Sequence, residues 1–535
     1  MLESVQVDRY VHDRLPPKTL WPKLILPPEY AVPRRLNCVE PLLDEHLASG
    51  GGGRTALTSD NGSWTYNELH DRVCRIANVM VRDYGIVPGN RVLLRGPNAP
   101  MLAALWLAVQ KCGAVAVTTM PLLRSTELSA IVEIARPALA VSHAGIEADL
   151  QTAIEQQGAD CPLLACASDG GELGRRMARQ PDGFDTVATS SEDVSLIGFT
   201  SGTTGKPKAT IHFHRDVMAV CETVAARIVQ PVPDDVFIGT APLGFTFGLG
   251  GLVLFPLYGG GTAVLNGRYT PEQFLEAIQR HRASVCFTVP TLYQRMARLD
   301  AARDAGRLLR MSVSSGETLP APVRDQWRAA TGLEMTELLG STEMLHAFIG
   351  STGAKVRFGY IGRAIPGYEA AILDDDGNPL PAGTIGKLAV QGPTGCRYLD
   401  DPRQEIYVQH GWNITGDACH MDADGYVAYR SRFDDMIVSS GYNISGIEIE
   451  NVLLEHAQVA ECAVVGTPDP ERGQAVTAYV VPKAPPDDES VFARDLQDFV
   501  RSRLAAYKYP RKVHLLPGLP RNESGKIQRF RLRAN

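Results

Sequence analysis

Residues 195–216 read SLIGFTSGTTGKPKATIHFHRD, and their local pattern decides what kind of fold surrounds them. Ser195–Phe199 has the short apolar run of a buried strand, and a helix is expected to begin near His214. Between them lies a loop dense in Gly, Thr and Ser. Its glycines let the backbone turn its N–H groups inward, while the hydroxyls of Thr200, Ser201, Thr203 and Thr204 and the ammonium of Lys208 add donors to one concavity. Such a concavity, with Gly202 and Gly205 as its flexible points, suits a polyphosphate. It is not a Walker A loop, because Pro207 stands where that motif requires Ser or Thr after the Lys. Taken by itself, the window could also be a polar surface turn.

Working outward, strand-like and helix-like periodicities alternate from about residue 55. WTYNELHDRVCRIANVMVRDYG (64–85) reads as a helix, RVLLRG (91–96) as a buried strand, and MLAALWLAVQKCGAVAV (101–117) as helix then strand. Ser284–Val289 and MSVSS (311–315) are further short strands, each followed by a loop. This alternation implies an α/β fold of layered sheets and helices, with ligands at the loops that follow strand C-termini. Val236–Gly267 is a long uncharged run, but Pro242, Pro256 and frequent glycines mark it as buried sheet and loops rather than a membrane span.

Near residue 431 the texture changes to a compact helix, strand, strand, helix order: IEIENVLLEHAQ, VAECAVVGT, QAVTAYVVPK, a polar linker PPDDES, then VFARDLQDFVRSRLA. The expected organisation is a large domain of several subdomains over 1–431 and a small α+β domain over 432–535.

Composition narrows the functional class. The 535 residues are 44% hydrophobic and 21% charged, ordinary values for a globular protein. A formal net charge of −7 supplies no field to hold a polyanion, so nucleic acid is not expected as a partner. Ten cysteines without a C-x-x-C pair suggest buried thiols rather than zinc ligands. The charged N-terminus lacks an apolar signal or anchor segment, so the expected location is cytoplasmic, without membrane attachment.

TSGTTGKPK resembles the phosphate loop of the acyl-adenylate-forming superfamily, which includes acyl-CoA synthetases, peptide-synthetase adenylation domains and beetle luciferases. Over roughly residues 60–535 the superfamily's other motifs follow in order. Gly316-Glu317-Thr318 resembles its adenine loop, Gly340-Ser341-Thr342-Glu343 its G-x-T-E, Thr415-Gly416-Asp417 its T-G-D, Arg432-Phe433-Asp434-Asp435 its R-x-D-D, and Pro520 to Lys526 its terminal P-R-x-x-x-G-K. The resemblance implies an enzyme using ATP, Mg²⁺ and coenzyme A, with a small carboxylic acid as substrate.

It also implies roles that chemistry supports residue by residue. Asp417 would accept hydrogen bonds from the ribose diol, backed by Arg432. Glu343 would be a hard oxygen ligand for Mg²⁺, and Thr342 would hydrogen-bond the α-phosphate. Lys526 would stabilise charge developing at phosphorus. Asp434 resembles the hinge about which the small domain turns, and the face carrying Gly441 and Tyr442 would then open the CoA channel. Leu339 stands where the superfamily often has an adenine-stacking aromatic.

For the acid, Ser341 to His346 resembles the benzoate-CoA ligase form of the motif, and His212 to Asp216 resembles 2-aminobenzoate-CoA ligases. The expected acyl pocket therefore comprises His212, Phe245, Gly340 and His346, with a core side chain as the alternative for His212, Phe245 and His346. An aromatic carboxylate is the expected substrate. A medium-chain acyl-CoA synthetase, suggested by Tyr507-Lys508-Tyr509-Pro510, and a stand-alone loader of a carrier protein are the alternatives. A non-catalytic AMP sensor would have been expected to lose Lys526 or Glu343. The oligomeric state, a homodimer included, is left open.

Overall fold

The computed structural model describes the chain except residues 1–2, 27–29, 168–170, 201–206, 317–318, 433–434, 440–441, 470–471, 505–507, 522–525 and 534–535. Among the described residues four sheets form. One runs in the order Leu163–Cys166, Leu139–His143, Arg91–Arg95, Val115–Thr119, Val194–Thr200, Lys208–Phe213. Its first five strands are parallel and the last is an antiparallel edge strand. The expected strand at Ser195–Phe199 is therefore part of Val194–Thr200, and the helix at His214 is His214–Val220.

The second sheet has nine strands. Its parallel centre runs Met335–Gly340, Met311–Ser314, Val285–Thr288, Val236–Gly239, Thr262–Val264, Thr55–Ser59. Parallel strands need both faces covered. Pro100–Lys111 does part of this as a helix buried along nearly its whole length. An antiparallel sheet follows, built on Gly386–Gln391, Trp412–Met421 and Val427–Arg432. Arg432 thus lies in the last strand of this sheet, and the C-terminal sheet begins at Ile437–Ser439.

Three expectations need correction. The helix expected over 64–85 starts later: Gly62–Thr65 is a strand, and Thr65 and Glu68 form a capping box that starts the helix Tyr66–Asn78, which continues as a π-helical segment at Val79–Asp83. Val236–Gly267 is not only sheet and loop, since Thr246–Tyr258 is helical. Its glycines fit that helix into close packing, as a Cβ on Gly251 would lie 2.5 Å from the Phe287 ring. The C-terminal part, besides the expected helices Gly446–Glu455 and Glu489–Arg501 and strands Val459–Asp469 and Gly473–Pro482, has the antiparallel strands Ile437–Ser439 and Tyr442–Ile444 and a parallel edge strand Lys512–Leu515. All ten cysteines are buried free thiols, and burial pushes Cys38 up to about 12. Among the described residues no helix is long and apolar enough to cross a membrane.

Candidate active site

The strand pair Val194–Thr200 and Lys208–Phe213 forms the floor of the site. Thr200 pairs with Lys208 and Gly198 with Thr210, so the strands close immediately below the phosphate-loop sequence. Alternation along the edge strand puts Lys208, Thr210 and His212 on one face. The turn Thr342–Met344 sits on that face. A Cβ on Gly198 would lie 2.6 Å from Thr342 Cγ2, so glycine there gives the turn its seat.

The turn itself is fixed from several sides. Ser341 Oγ accepts from the Met344 N–H at 3.3 Å. Gly340 must be glycine because its Cβ would come within 2.6 Å of the His346 carbonyl, where the chain doubles back. Leu345, with φ +68°, is held in the left-handed region between Glu343 and His346. Such backbone strain in a non-glycine residue is characteristic of functional turns.

Glu343 is buried, and its Oε1 accepts a hydrogen bond from the Tyr398 hydroxyl at 2.7 Å and lies 3.4 Å from Lys208 Nζ. Burial alone would raise the carboxyl pKa, but the Lys208 charge and the Tyr398 hydrogen bond outweigh it and hold the group below its ordinary range. Lys208 also donates to the Tyr398 hydroxyl at 2.8 Å. Among the described residues no cluster of three or more His, Cys, Asp or Glu side chains could cage a metal. A single ionised carboxylate fits instead the manner of Mg²⁺, which keeps waters and is shared with substrate phosphates.

A second group lies on the antiparallel sheet. Asp417 and Arg432 are cross-strand partners, and Arg432 Nη1 donates to Asp417 Oδ1 at 2.9 Å and to the Thr415 carbonyl at 2.8 Å. Gly416, φ +76°, lets the guanidinium approach, since a Cβ would lie 2.7 Å from Arg432 Nη2. Asp417 in turn helps hold the Arg432 charge above its ordinary pKa, although burial opposes this. Lys526 joins this group from the far end of the chain. Desolvation followed by the Arg432 charge lowers its pKa, with Asp417 and Asp435 opposing. Gly316 follows the strand Met311–Ser314 and Leu339 lies near the end of its parallel neighbour Met335–Gly340, so the two flank one another at the strand C-terminal ends.

The acyl-pocket expectations divide. His346 is buried, with its ring 4.7 Å from that of Phe255 and 5.9 Å from that of Phe247. Neither ring nitrogen has a side-chain hydrogen-bond partner among the described residues, and burial, opposed by the Phe247 backbone, pushes its pKa down to about 4, so it is a neutral imidazole. Phe245 caps the helix beginning at Thr246 and is half-buried. His212 is fully buried and bonds through Nε2 to the Thr342 carbonyl at 2.7 Å, supporting the turn from below.

Two residues were missed. Phe247 stands beside His346, with ring centroids 5.9 Å apart, and only the helical phase after Phe245 signals it. Tyr398 belongs to a segment that pairs with the edge strand through Leu399 N–H to Ala209 and Ile211 N–H to Arg397, a non-local pairing that the sequence does not signal. Ser201, Gly202, Thr203, Thr204, Gly205, Glu317, Thr318, Asp434 and Gly441 lie outside the described residues, and Tyr442 is described in its backbone only.

A phosphate-loop strand pair with the Glu343 carboxylate beside it, together with the Asp417–Arg432 pair and Lys526, fits a nucleotide-dependent carboxylate-activating enzyme. Residues 44–397 match the family model "AMP-binding enzyme" and 448–526 match "AMP-binding enzyme C-terminal domain". The chain belongs to the AMP-binding enzyme family and is an acid–thiol ligase. It is 33% identical over 518 residues to the benzoate–CoA ligase of Thauera aromatica, covering 95% of this chain and 98% of that protein. It is also 33% identical over 492 residues to the mitochondrial acyl-coenzyme A synthetase ACSM5 of Mus musculus, covering 88% and 84%. The solved anthranilate CoA ligase AuaEII, in complex with anthranoyl-AMP, superposes with a TM-score of 0.85 at 29% identity, covering 94% of this chain and 98% of that one.

Proposed function

We propose that this enzyme is an ATP-dependent, AMP-forming aryl-CoA ligase of the benzoate or 2-aminobenzoate type. The observation that carries the reading is the buried, neutral His346 set among Phe255 and Phe247 and three residues from Glu343. An aromatic wall with a single neutral polar tip favours a flat ring, and it offers nothing to pair with a buried α-ammonium.

In the first half-reaction a carboxylate oxygen of the acid attacks the α-phosphorus, and the bond to pyrophosphate breaks. The Thr200–Lys208 loop would cradle the phosphates, Thr342 would hydrogen-bond the α-phosphate, and the ribose would sit on Asp417 backed by Arg432. Gly316, Glu317, Thr318 and Leu339 would enclose the adenine. Glu343 would hold Mg²⁺, which supplies charge neutralisation at the phosphate oxygens. Lys526 stabilises the charge that builds on the α-phosphate during attack, an interaction worth most in a water-excluded site.

In the second half-reaction the CoA sulfur attacks the acyl carbon and AMP leaves with the bonding pair. The domain 432–535 would turn about Asp434 against 1–431, withdrawing Lys526 and bringing the Gly441–Tyr442 face to the thiol channel. The test is pyrophosphate release with ATP and Mg²⁺ across benzoate, 2-aminobenzoate, 4-hydroxybenzoate, octanoate and phenylalanine, with and without CoA, with mass detection of the thioester. An aryl acid should lead and yield its CoA thioester. Preference for octanoate would overturn the aryl reading, and pyrophosphate without a CoA product would point to a carrier-protein acceptor.

A further inference from the structure

The buried phenol of Tyr398 lies between the two charges of the phosphate-binding arm. Its oxygen accepts from Lys208 Nζ at 2.8 Å, and its single proton goes to Glu343 Oε1 at 2.7 Å. The Lys208 ammonium also lies 4.8 Å from the Tyr398 ring centroid. Lys208 and Glu343 are 3.4 Å apart, longer than a close charged hydrogen bond, with the phenol taking the short contacts on each side.

The phenol is fixed from behind. Its ring packs edge-on against Tyr407, whose hydroxyl is 3.3 Å from Ser341 Oγ in the same turn as Glu343. The preceding residue, Arg397, is locked to Asp216 at 3.1 Å with both side chains fully buried. The backbone around Tyr398 is paired to the strand that carries Lys208. Tyr398 therefore cannot follow Lys208 or Glu343 when either moves, and it is not itself a part of any motif by which the site was first read.

We propose that Tyr398 is the positioning residue of the adenylation site: its hydroxyl takes the short contacts and holds Lys208 and Glu343 in a loose ion pair, 3.4 Å apart, instead of a close one, which leaves Glu343 Oε2 for magnesium. A bare Lys–Glu pair in this buried setting would have to be broken before a magnesium nucleotide could bind. With the phenol interposed, the carboxylate is already oriented and half satisfied. The proposal rests on the reading of Glu343 as the magnesium ligand.

The test is calorimetric binding of a non-hydrolysable ATP analogue, with and without Mg²⁺, to the wild-type chain, Tyr398→Phe, Glu343→Gln and the double variant, each checked for cooperative thermal unfolding. The phenylalanine removes one oxygen and keeps the ring against Tyr407. Tyr398→Phe should weaken the magnesium-loaded analogue about tenfold, the scale of one hydrogen bond to a charged group. It should leave the magnesium-free analogue within twofold, and it should add nothing to Glu343→Gln. Equal weakening of both forms, full additivity with Glu343→Gln, or wild-type binding by Tyr398→Phe would overturn the proposal. Should the wild-type chain itself gain no affinity from Mg²⁺, the reading of Glu343 falls first and the proposal with it. Lys208→Met gives an independent second arm: removing Tyr398's hydroxyl should then cost less than in the wild type, because no ammonium remains to collapse onto Glu343, and an undiminished cost would likewise overturn the proposal.

Discussion

Asp216 Oδ2 lies 3.1 Å from Arg397 Nη1, and neither side chain has any exposed surface. Arg397 is also sandwiched by rings, 4.7 Å from Trp21 and 4.8 Å from Phe213. Burial raises the Asp216 pKa, but Arg215 and Arg397 overcome this and hold the carboxyl well below its ordinary range. Asp216→Asn leaves a guanidinium buried without its counter-charge, which should cost about 3–5 kcal/mol in denaturant unfolding at pH 7. A depressed folded-state pKa contributes stability that is present above the unfolded value, about 3.9, and is lost as pH falls below it. The difference between wild type and Asp216→Asn should therefore narrow below pH 4. A gap that stays constant from pH 7 to pH 3 would contradict this account.

The Asp417–Arg432 pair leads to a prediction about the nucleotide sugar. If Asp417 receives the ribose hydroxyls, Asp417→Ala should weaken ATP and AMP alike by about tenfold to a hundredfold, while the KM for the acid stays within twofold. The decisive comparison uses ATP lacking one ribose hydroxyl. Wild type should discriminate against it, and Asp417→Ala should not. Discrimination that survives in the variant would remove Asp417 from the sugar site.

The local parts of this arrangement were legible in the sequence and the long-range parts were not. The strand at Ser195–Phe199, the glycine-rich turn and the helix at His214 depend on short-range periodicity and turn chemistry. The ordered motifs further located Glu343, Asp417, Arg432 and Lys526, which the structure brings into two neighbouring groups. His212, open in the sequence between pocket and core, has the same strand parity as Lys208, so both face the Thr342–Met344 turn. Tyr398 could not be read, because its importance comes from pairing with a strand far away in sequence, and neither periodicity nor composition encodes that partner. In Thr246–Tyr258 the glycines that disguise a helix are the ones its tight packing on Phe287 and His346 requires.

Lys526 carries both a division of labour and a pH dependence. Lys526→Ala should abolish pyrophosphate release yet spare thioester formation from supplied aryl-AMP; equal loss of both steps would sink the assignment. The working form is the ammonium, and desolvation and the Arg432 charge lower its pKa. Adenylation should thus fall on the alkaline side at a pH below the ordinary lysine value of about 10.4. Replacing Arg432 by Gln removes a like charge, which raises the Lys526 pKa, so the alkaline limb should move to higher pH even as nucleotide affinity drops. An unmoved limb would mean that another group controls it.

Gly250 offers a test of the acyl pocket that leaves the nucleotide site alone. It lies in a helical segment, with φ about −60°, so alanine is acceptable to the backbone and any effect comes from the added methyl. That methyl would lie 2.3 Å from His346 Cδ2, 2.6 Å from Nε2 and 3.1 Å from Phe255 Cζ. The imidazole is closely packed against Phe255 and cannot yield without shifting the pocket wall. Overpacking of this kind costs about 1–3 kcal/mol, so Gly250→Ala should lower kcat/KM for the preferred aryl acid by about tenfold to a hundredfold. The KM for ATP should stay within twofold, because Glu343 and Lys208 are held by Tyr398 and not by His346. Matching losses for acid and ATP would show that His346 belongs to the general packing of the turn, whereas a loss confined to the acid would make it a wall of the acyl pocket.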